Sequence, residues 1–226
     1  MPNKALKRTV LPLAGLPLSW GVSSQMPKYQ ALALHERVEA NIGALESRAF
    51  LTRPEHKRLR EMWCASRLLT GYSGIYAAAE VAIEDVDEQR EYDFYLVIEN
   101  EWLPFQIVEV LDAGRRRGDE YREMSRAQVE KHHRNRGLEG VEYGMTRVRE
   151  ELQKKIDKNY ANADQLHILL YLNVNVAGFE WGALRDASAQ ATTTFSSIWA
   201  VTQDIFCCVY GGDRWNDQEA WRPIES

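Results

Sequence analysis

The stretch that decides the fold covers residues 92–118 and reads YDFYLVIENEWLPFQIVEVLDAGRRRG. Two runs rich in Tyr, Phe, Val and Ile flank a polar connector, residues 99–101, and this pattern predicts a tight antiparallel hairpin. One acid, Asp93, opens the first strand, and another, Glu109, lies late in the second. With a three-residue loop over residues 100–102, Asp93 pairs with Glu109, and their Cβ atoms lie about 5 Å apart. Two carboxylates this close repel unless a cation lies between them or one takes up a proton, so the pair predicts a functional site.

This acid pair has the chemistry of a metal site. Carboxylates on neighbouring strands can hold Mg²⁺ or Mn²⁺ through oxygen ligands, with water and a substrate phosphate completing the shell. Asp93 and Glu109 are therefore the predicted metal ligands. Val108 and Val110 flank Glu109 in an apolar run, and a buried carboxylate needs a partner. Because strand-opening aspartates and exposed-face glutamates are common, a surface acid pair without a metal is the alternative.

The segment that follows the hairpin is basic. Residues 113–160 contain 13 Lys and Arg against nine Asp and Glu, whereas the whole chain has a net charge of −5. A basic stripe beside two carboxylates is typical of a protein that binds a phosphate backbone. A solvated helix face with alternating charges is the alternative. The residues predicted to contact nucleic acid are Arg115, Arg116, Arg117, Arg122 and Lys131.

Composition indicates a soluble globular chain. Of the 226 residues, 45% are hydrophobic and 27% are charged, which is ordinary for a globular protein. The three cysteines include the adjacent pair Cys207 and Cys208, which argues against structural disulfides and for the cytoplasm. No apolar run is long enough for a membrane span. Residues 1–25 are expected to be a disordered leader or a mis-assigned start, and residues 26–226 are expected to form a single domain.

The apolar periodicity predicts the remaining elements. The interpretation is an α/β protein of the α+β type, with a mixed central sheet of about five strands, an αβββαβ core, and helices on both faces. The predicted elements beside the hairpin are helices over 28–45, 55–69 (ending at Gly71), 145–156 and 179–201, and strands over 75–83, 166–176 and 204–210.

The order of elements and the hairpin acids resemble the PD-(D/E)XK, or restriction-endonuclease-like, superfamily over about residues 50–211. Tyr92-Asp93 stands at the family's Pro-Asp element, and Glu109-Val110-Leu111 stands at its (D/E)-x-K element. The resemblance implies Mg²⁺-dependent hydrolysis of nucleic-acid phosphodiesters, with Asp93 and Glu109 as catalytic residues and metal ligands. It also implies an acid from the leading helix or the first strand, for which Glu61 and Glu80 are available.

One departure from the family pattern bears on catalysis. Leu111 stands where the family has its catalytic lysine, and the basic residues nearby are Arg115, Arg116 and Lys131. Arginine stays protonated and cannot act as a base. Gln106 lies three residues before Glu109, so in a regular strand it faces the opposite side and is not assigned to the metal.

The missing lysine keeps three hypotheses open. The first is a metal-dependent nuclease, and the second is a catalytically inactive protein on the same fold that acts in nucleic-acid binding or protein assembly. The third is a small-molecule α/β enzyme. The tail carries Trp215 and Trp221, which is compatible with a homodimer.

Overall fold

A computed structural model gives the fold. It describes residues 26–45, 54–76, 78–83, 91–112, 140–174, 178–212, 214–215 and 221–224. The predictions for residues 1–25 lie outside these ranges. Among the described residues, no helix is long and apolar enough to cross a bilayer.

A mixed sheet of eight strands runs through the described part of the chain in the order β1 to β8. Its first four strands pair antiparallel, β4 to β6 are parallel, and β7 and β8 return antiparallel. The strands are β1 (Lys28–Tyr29), β2 (Glu80–Ala82), β3 (Phe94–Ile98), β4 (Glu101–Leu111), β5 (His167–Asn173), β6 (Ser197–Val201), β7 (Ile205–Tyr210) and β8 (Arg222–Pro223). The predicted mixed α/β class is confirmed, but the sheet is larger than the five strands expected.

Four α-helices of the described residues cover the two faces of this sheet: α1 (Ala31–Gly43), α2 (Lys57–Ile75), α3 (Val141–Ile156) and α4 (Trp181–Ser188). Alternate strand residues point to opposite faces, so each strand contributes to two hydrophobic layers. One layer joins α1 and α2 to residues such as Phe94, Leu96 and Phe105. The other joins α3 and α4 to residues such as Tyr95 and Val97.

The hairpin is present, but its predicted register is wrong. Ile98 pairs with Glu101, so the loop has two residues, Glu99 and Asn100, with φ angles of 49° and 71°. Two-residue loops with positive φ at both positions match the right-handed twist of the flanking strands. The shorter loop moves every pairing by three positions, and an odd shift places each side chain against the opposite face of its partner strand.

Two other elements differ from prediction. Helix α2 does not end at Gly71 but continues to Ile75, which shortens the first predicted strand to β2. The helix predicted over 179–201 is divided into α4, a short 3-10 turn (Ala189–Thr193) and strand β6. The β-branched and aromatic residues of Ser197–Val201 favour a strand, and they fill a fully buried position beside β5.

Candidate acid–base site

The register separates the two acids that the sequence paired. The paired register ends with Phe94 opposite Phe105, and the main-chain N–H of Asp93 donates to the oxygen of the same Phe105 at 2.8 Å. Glu109 lies four residues beyond Phe105 along β4, about 13 Å away. There it lies beside Tyr171 of β5 and accepts a hydrogen bond from the amide of Asn173 at 3.3 Å. The predicted Asp93–Glu109 pairing is therefore wrong.

The other predicted site residues do not join Asp93 either. Glu80 opens β2 opposite Val97, which is four residues beyond Asp93 and so about 13 Å along the strand. Five predicted nucleic-acid contacts lie outside the described residues, and nucleic-acid binding by them stays a prediction. They are Arg115, Arg116, Arg117, Arg122 and Lys131.

Asp93 instead meets the first turns of helix α2. Arg58 Nη1 donates hydrogen bonds to Glu61 Oε2 at 2.8 Å and to the main-chain oxygen of Asp93 at 2.9 Å. Lys57 Nζ lies 3.2 Å from the other carboxylate oxygen of Glu61. One arginine nitrogen therefore joins the helix to the start of β3. Glu61, which the sequence offered as an available acid, is the carboxylate that the fold brings beside Asp93.

The two carboxylates have different surroundings. Glu61 is buried and paired with both Lys57 and Arg58. The carboxylate of Asp93 accepts the main-chain N–H of Ile107 at 2.6 Å, and no Lys or Arg of the described chain forms an ion pair with it. Burial, with the charge of Glu61 as a second cause, raises the pKa of Asp93 to about 6. Glu61 therefore resembles a structural anion, whereas Asp93 changes charge near neutral pH.

Three further polar side chains surround Asp93. Gln106 is only 6% exposed, and Tyr160 Oη donates to its Oε1 at 2.6 Å. Burial raises the pKa of Tyr160, which keeps the phenol protonated and able to donate. Lys155, in the last turn of α3, is half-buried and close enough for its charge to act on Asp93. Burial lowers the pKa of Lys155.

These residues do not fit the divalent cation that the predicted resemblance implies. Among the described residues, no group of three or more His, Cys, Asp or Glu side chains could hold a metal ion. Both oxygens of Glu61 already contact Lys57 or Arg58, and a cation would have to displace them. The predicted Mg²⁺ or Mn²⁺ site at Asp93 and Glu109 fails for the same geometric reason as their pairing.

A second polar cluster lies deep in the sheet. His167 Nδ1 is 2.7 Å from Ser197 Oγ, and the indole N–H of Trp199 donates to the same oxygen at 2.9 Å. Phe105 stacks on the imidazole, and burial lowers the pKa of His167 to about 3. Since His167 and Ser197 are both buried, this Ser–His contact is part of the core.

Replacing Ser197 tests that structural role. Ser197→Ala removes the partner of two buried groups, and we expect it to lower the free energy of unfolding by about 1–3 kcal/mol. The control is Ser188→Ala, because Ser188 is equally buried but donates only to the carbonyl of Leu184 in its own helix. There we expect about 0.5 kcal/mol. Urea unfolding measures both, and equal losses would contradict a linking role for Ser197.

Comparisons with known proteins do not assign a family. No family model matches the chain, and no curated protein matches it. A structural comparison matches a Pseudomonas aeruginosa protein of unknown function, described as a member of the monooxygenase superfamily. The two are 12% identical, with a TM-score of 0.41, and the match covers 81% of this chain and 84% of that one.

The predicted resemblance to PD-(D/E)XK nucleases is wrong. The hairpin register separates the two acids on which the resemblance depended, and no family model matches the chain. The predicted nuclease activity and the alternative of an inactive protein on the nuclease fold are therefore wrong as well.

Sequence reasoning could have found part of the Asp93 site. Lys57, Arg58 and Glu61 have the helical spacing at which opposite charges meet. By contrast, Tyr160 lies 54 residues from Gln106, and no local pattern connects them. Gln106 itself was correctly expected to face away from Glu109, but that expectation led to its exclusion from the site.

Proposed function

We propose that this protein is an enzyme that moves a proton to or from a small organic molecule, with Asp93 as the general acid or base. The observation that carries the proposal is that two neighbouring carboxylates have different partners. Lys57 and Arg58 neutralise Glu61, while Asp93 receives one main-chain N–H. Burial and the charge of Glu61 raise the pKa of Asp93, and a carboxyl perturbed in this way is typical of acid–base sites.

The raised pKa of Asp93 suits this role. A general acid or base works best when its pKa lies near the working pH, because both protonation states are then populated. With a pKa of about 6, the Asp93 carboxyl is mostly ionised at neutral pH, and little free energy is needed to protonate it. Paired structural carboxylates usually show the opposite shift.

The site is also open to solvent. Asp93 and Lys155 are half-buried rather than enclosed, and the Lys57 side chain beside them is 52% exposed. A small molecule could reach the carboxylate from this side. Such a site supports the small-molecule α/β enzyme among the sequence hypotheses.

Hydrogen–deuterium exchange at carbon tests the proposal. The purified protein would be incubated in D₂O with a defined mixture of keto acids, hydroxy acids, amino acids and sugar phosphates, and deuterium uptake followed by mass spectrometry. We expect the wild type to label at least one compound, and Asp93→Asn to label it at least about 100-fold more slowly.

The control for this experiment is Asp204→Asn, which alters an exposed carboxylate far along the chain. It should label at the wild-type rate. The proposal fails if the wild type labels none of the compounds, or if Asp93→Asn labels as fast as the wild type.

A further inference from the structure

The side-chain amide of Gln106 has a fixed orientation. Tyr160 Oη donates to its oxygen, so the amide nitrogen points its two N–H groups away from Tyr160. Among the described residues, no acceptor takes a hydrogen bond from that nitrogen, although the Gln106 side chain is more than nine-tenths buried. The amide nitrogen is not one of the described side-chain atoms that are fully buried without a partner, so it can be reached from solvent and is free to donate to a ligand oxygen.

Lys155 is the second donor without a partner. Its neighbour Lys154 forms an ion pair with Glu151 at 2.7 Å, and Lys57 pairs with Glu61. Lys155 makes no ion pair within the described chain, although it is half-buried. The carboxylates of Asp93 and Glu151 act on this ammonium without forming an ion pair with it, which leaves it able to bind an anion directly.

Both donors lie around Asp93. Asp93 accepts the main-chain N–H of Ile107, the residue after Gln106, and its charge acts on Tyr160, which holds the Gln106 amide. The charge of Lys155 acts on the Asp93 carboxyl. Arg58 is not available for the same task, because Glu61 and the main chain of Asp93 occupy it. Among the described residues, the half-buried positive charge open to a ligand is that of Lys155, with the exposed Lys57 and Lys158 near it.

From this arrangement we propose that the substrate carries a small oxyanion, a carboxylate or a phosphate group, that binds to the Lys155 ammonium and the Gln106 amide. Charge-assisted hydrogen bonds of this type fix the orientation of a ligand. Tyr160 is a positioning residue, since it acts by holding the Gln106 amide. The inference rests on the proposed function, because the bound oxyanion places the rest of the substrate beside Asp93.

Side-chain amide NMR tests the proposal directly. Inorganic phosphate and acetate would be titrated separately into ¹⁵N-labelled protein at pH 7, with the Gln106 NH₂ signals as the readout. We expect one or both anions to shift these signals. Lys155→Met should weaken that binding about tenfold, as for the loss of one charge-assisted hydrogen bond. A response to phosphate alone or to acetate alone identifies which oxyanion the site prefers.

Matched variants separate the site from general charge effects. Lys154→Met removes the same charge one residue away, on an exposed side chain already paired with Glu151, and should bind as the wild type does. Tyr160→Phe should weaken binding several-fold while leaving Lys155 in place. The proposal is overturned if neither anion shifts the Gln106 signals, or if Lys155→Met and Lys154→Met bind equally.

The same titration on Asp93→Asn distinguishes this inference from the proposed function. Oxyanion binding should persist in that variant, because Asp93 is not a ligand of the oxyanion. If binding depends on Lys155 but deuterium labelling does not depend on Asp93, the oxyanion site stands and the acid–base role is wrong. If deuterium labelling depends on Asp93 but oxyanion binding does not depend on Lys155, the acid–base role stands and the oxyanion site is wrong.

Discussion

Gly71→Ala is expected to lower the free energy of unfolding by about 3 kcal/mol, the upper part of the range for overpacking a core. Gly71 lies in the interior of α2, where alanine is ordinarily the better helix former. Here, however, a Cβ would lie 2.5–2.8 Å from three atoms of the Phe206 ring. Phe206 is fully buried in β7, so its ring cannot move aside without disturbing the packing of α2 on the sheet.

Gly74→Ala is the matched control, because it makes the same change one turn later in the same helix. A Cβ there meets no atom within 4 Å, so we expect that variant to be stabilised by about 0.5–1 kcal/mol. Urea unfolding of both variants measures the difference. If Gly71→Ala is as stable as Gly74→Ala, the close approach of α2 to Phe206 is wrong.

A double-mutant cycle localises the effect further. Phe206→Leu alone creates a small cavity, but in the Gly71→Ala background the smaller side chain makes room for the added methyl group. The two losses should therefore be less than additive by about 1 kcal/mol or more. Simple additivity would mean that Gly71 acts through the helix alone.

Gly71 also shows why the end of α2 could not be predicted. A glycine near the end of an apolar helical pattern commonly marks a C-terminus, and the sequence contains a second glycine three residues later. The same residue is equally suited to close packing of a helix on a sheet. Only the position of Phe206, 135 residues further along the chain, decides between the two. Local patterns carry no information on that contact.

The hairpin register also could not be predicted from the local sequence pattern, and this error had a larger consequence. The alternating apolar residues correctly placed two strands around a polar connector, but the predicted three-residue loop over residues 100–102 is a two-residue loop in the structure. Glycine usually marks the left-handed positions of a two-residue turn, and here Glu99 and Asn100 adopt them instead. That one difference separates Glu109 from Asp93 and removes the acid pair on which the predicted chemistry depended.

Apolar runs were the better guide where burial was complete. The continuous apolar run over 166–176 was correctly predicted as a strand, and β5 lies between β4 and β6 within the sheet. Strand β6 was predicted as part of a helix because alanines precede it, although its own five residues, Ser197–Val201, favour a strand. A short buried strand and a buried helix segment have similar composition, and it is pairing with β5 and β7 that distinguishes them here.

Asp93→Asn is expected to stabilise the protein at neutral pH, by at most about 3 kcal/mol. Burial raises the pKa of Asp93 from 3.8 to about 6 in the folded state, and each pKa unit corresponds to about 1.4 kcal/mol. The folded state thus binds a proton more tightly than the unfolded chain. The stabilisation that comes from protonating Asp93 in the folded state is complete below about pH 3.8 and is lost as the pH rises through about 6. Asparagine stays neutral and avoids that loss.

The difference between the variant and the wild type therefore has a defined pH dependence. Urea unfolding should show near-equal stabilities at pH 4 and a growing advantage for Asp93→Asn between pH 4 and pH 7. Asp204→Asn, at an exposed position, should show no such trend. Asparagine can still accept the N–H of Ile107 through its amide oxygen, so the hydrogen bond in the wild type is not a cause of the difference.

Whether Asp93→Asn raises or lowers the free energy of unfolding at pH 7 decides between a structural and a catalytic role for Asp93. A carboxylate kept for stability would be stabilising when ionised, as expected for Glu61 between Lys57 and Arg58, and its replacement by asparagine would destabilise the fold at pH 7. A carboxylate that lowers stability when ionised is the pattern found where activity needs a strained or desolvated group. If Asp93→Asn is more stable and also loses carbon-bound deuterium exchange, the two results together fit a group kept for proton transfer. If it is less stable at pH 7, Asp93 anchors the start of β3 and the catalytic proposal fails.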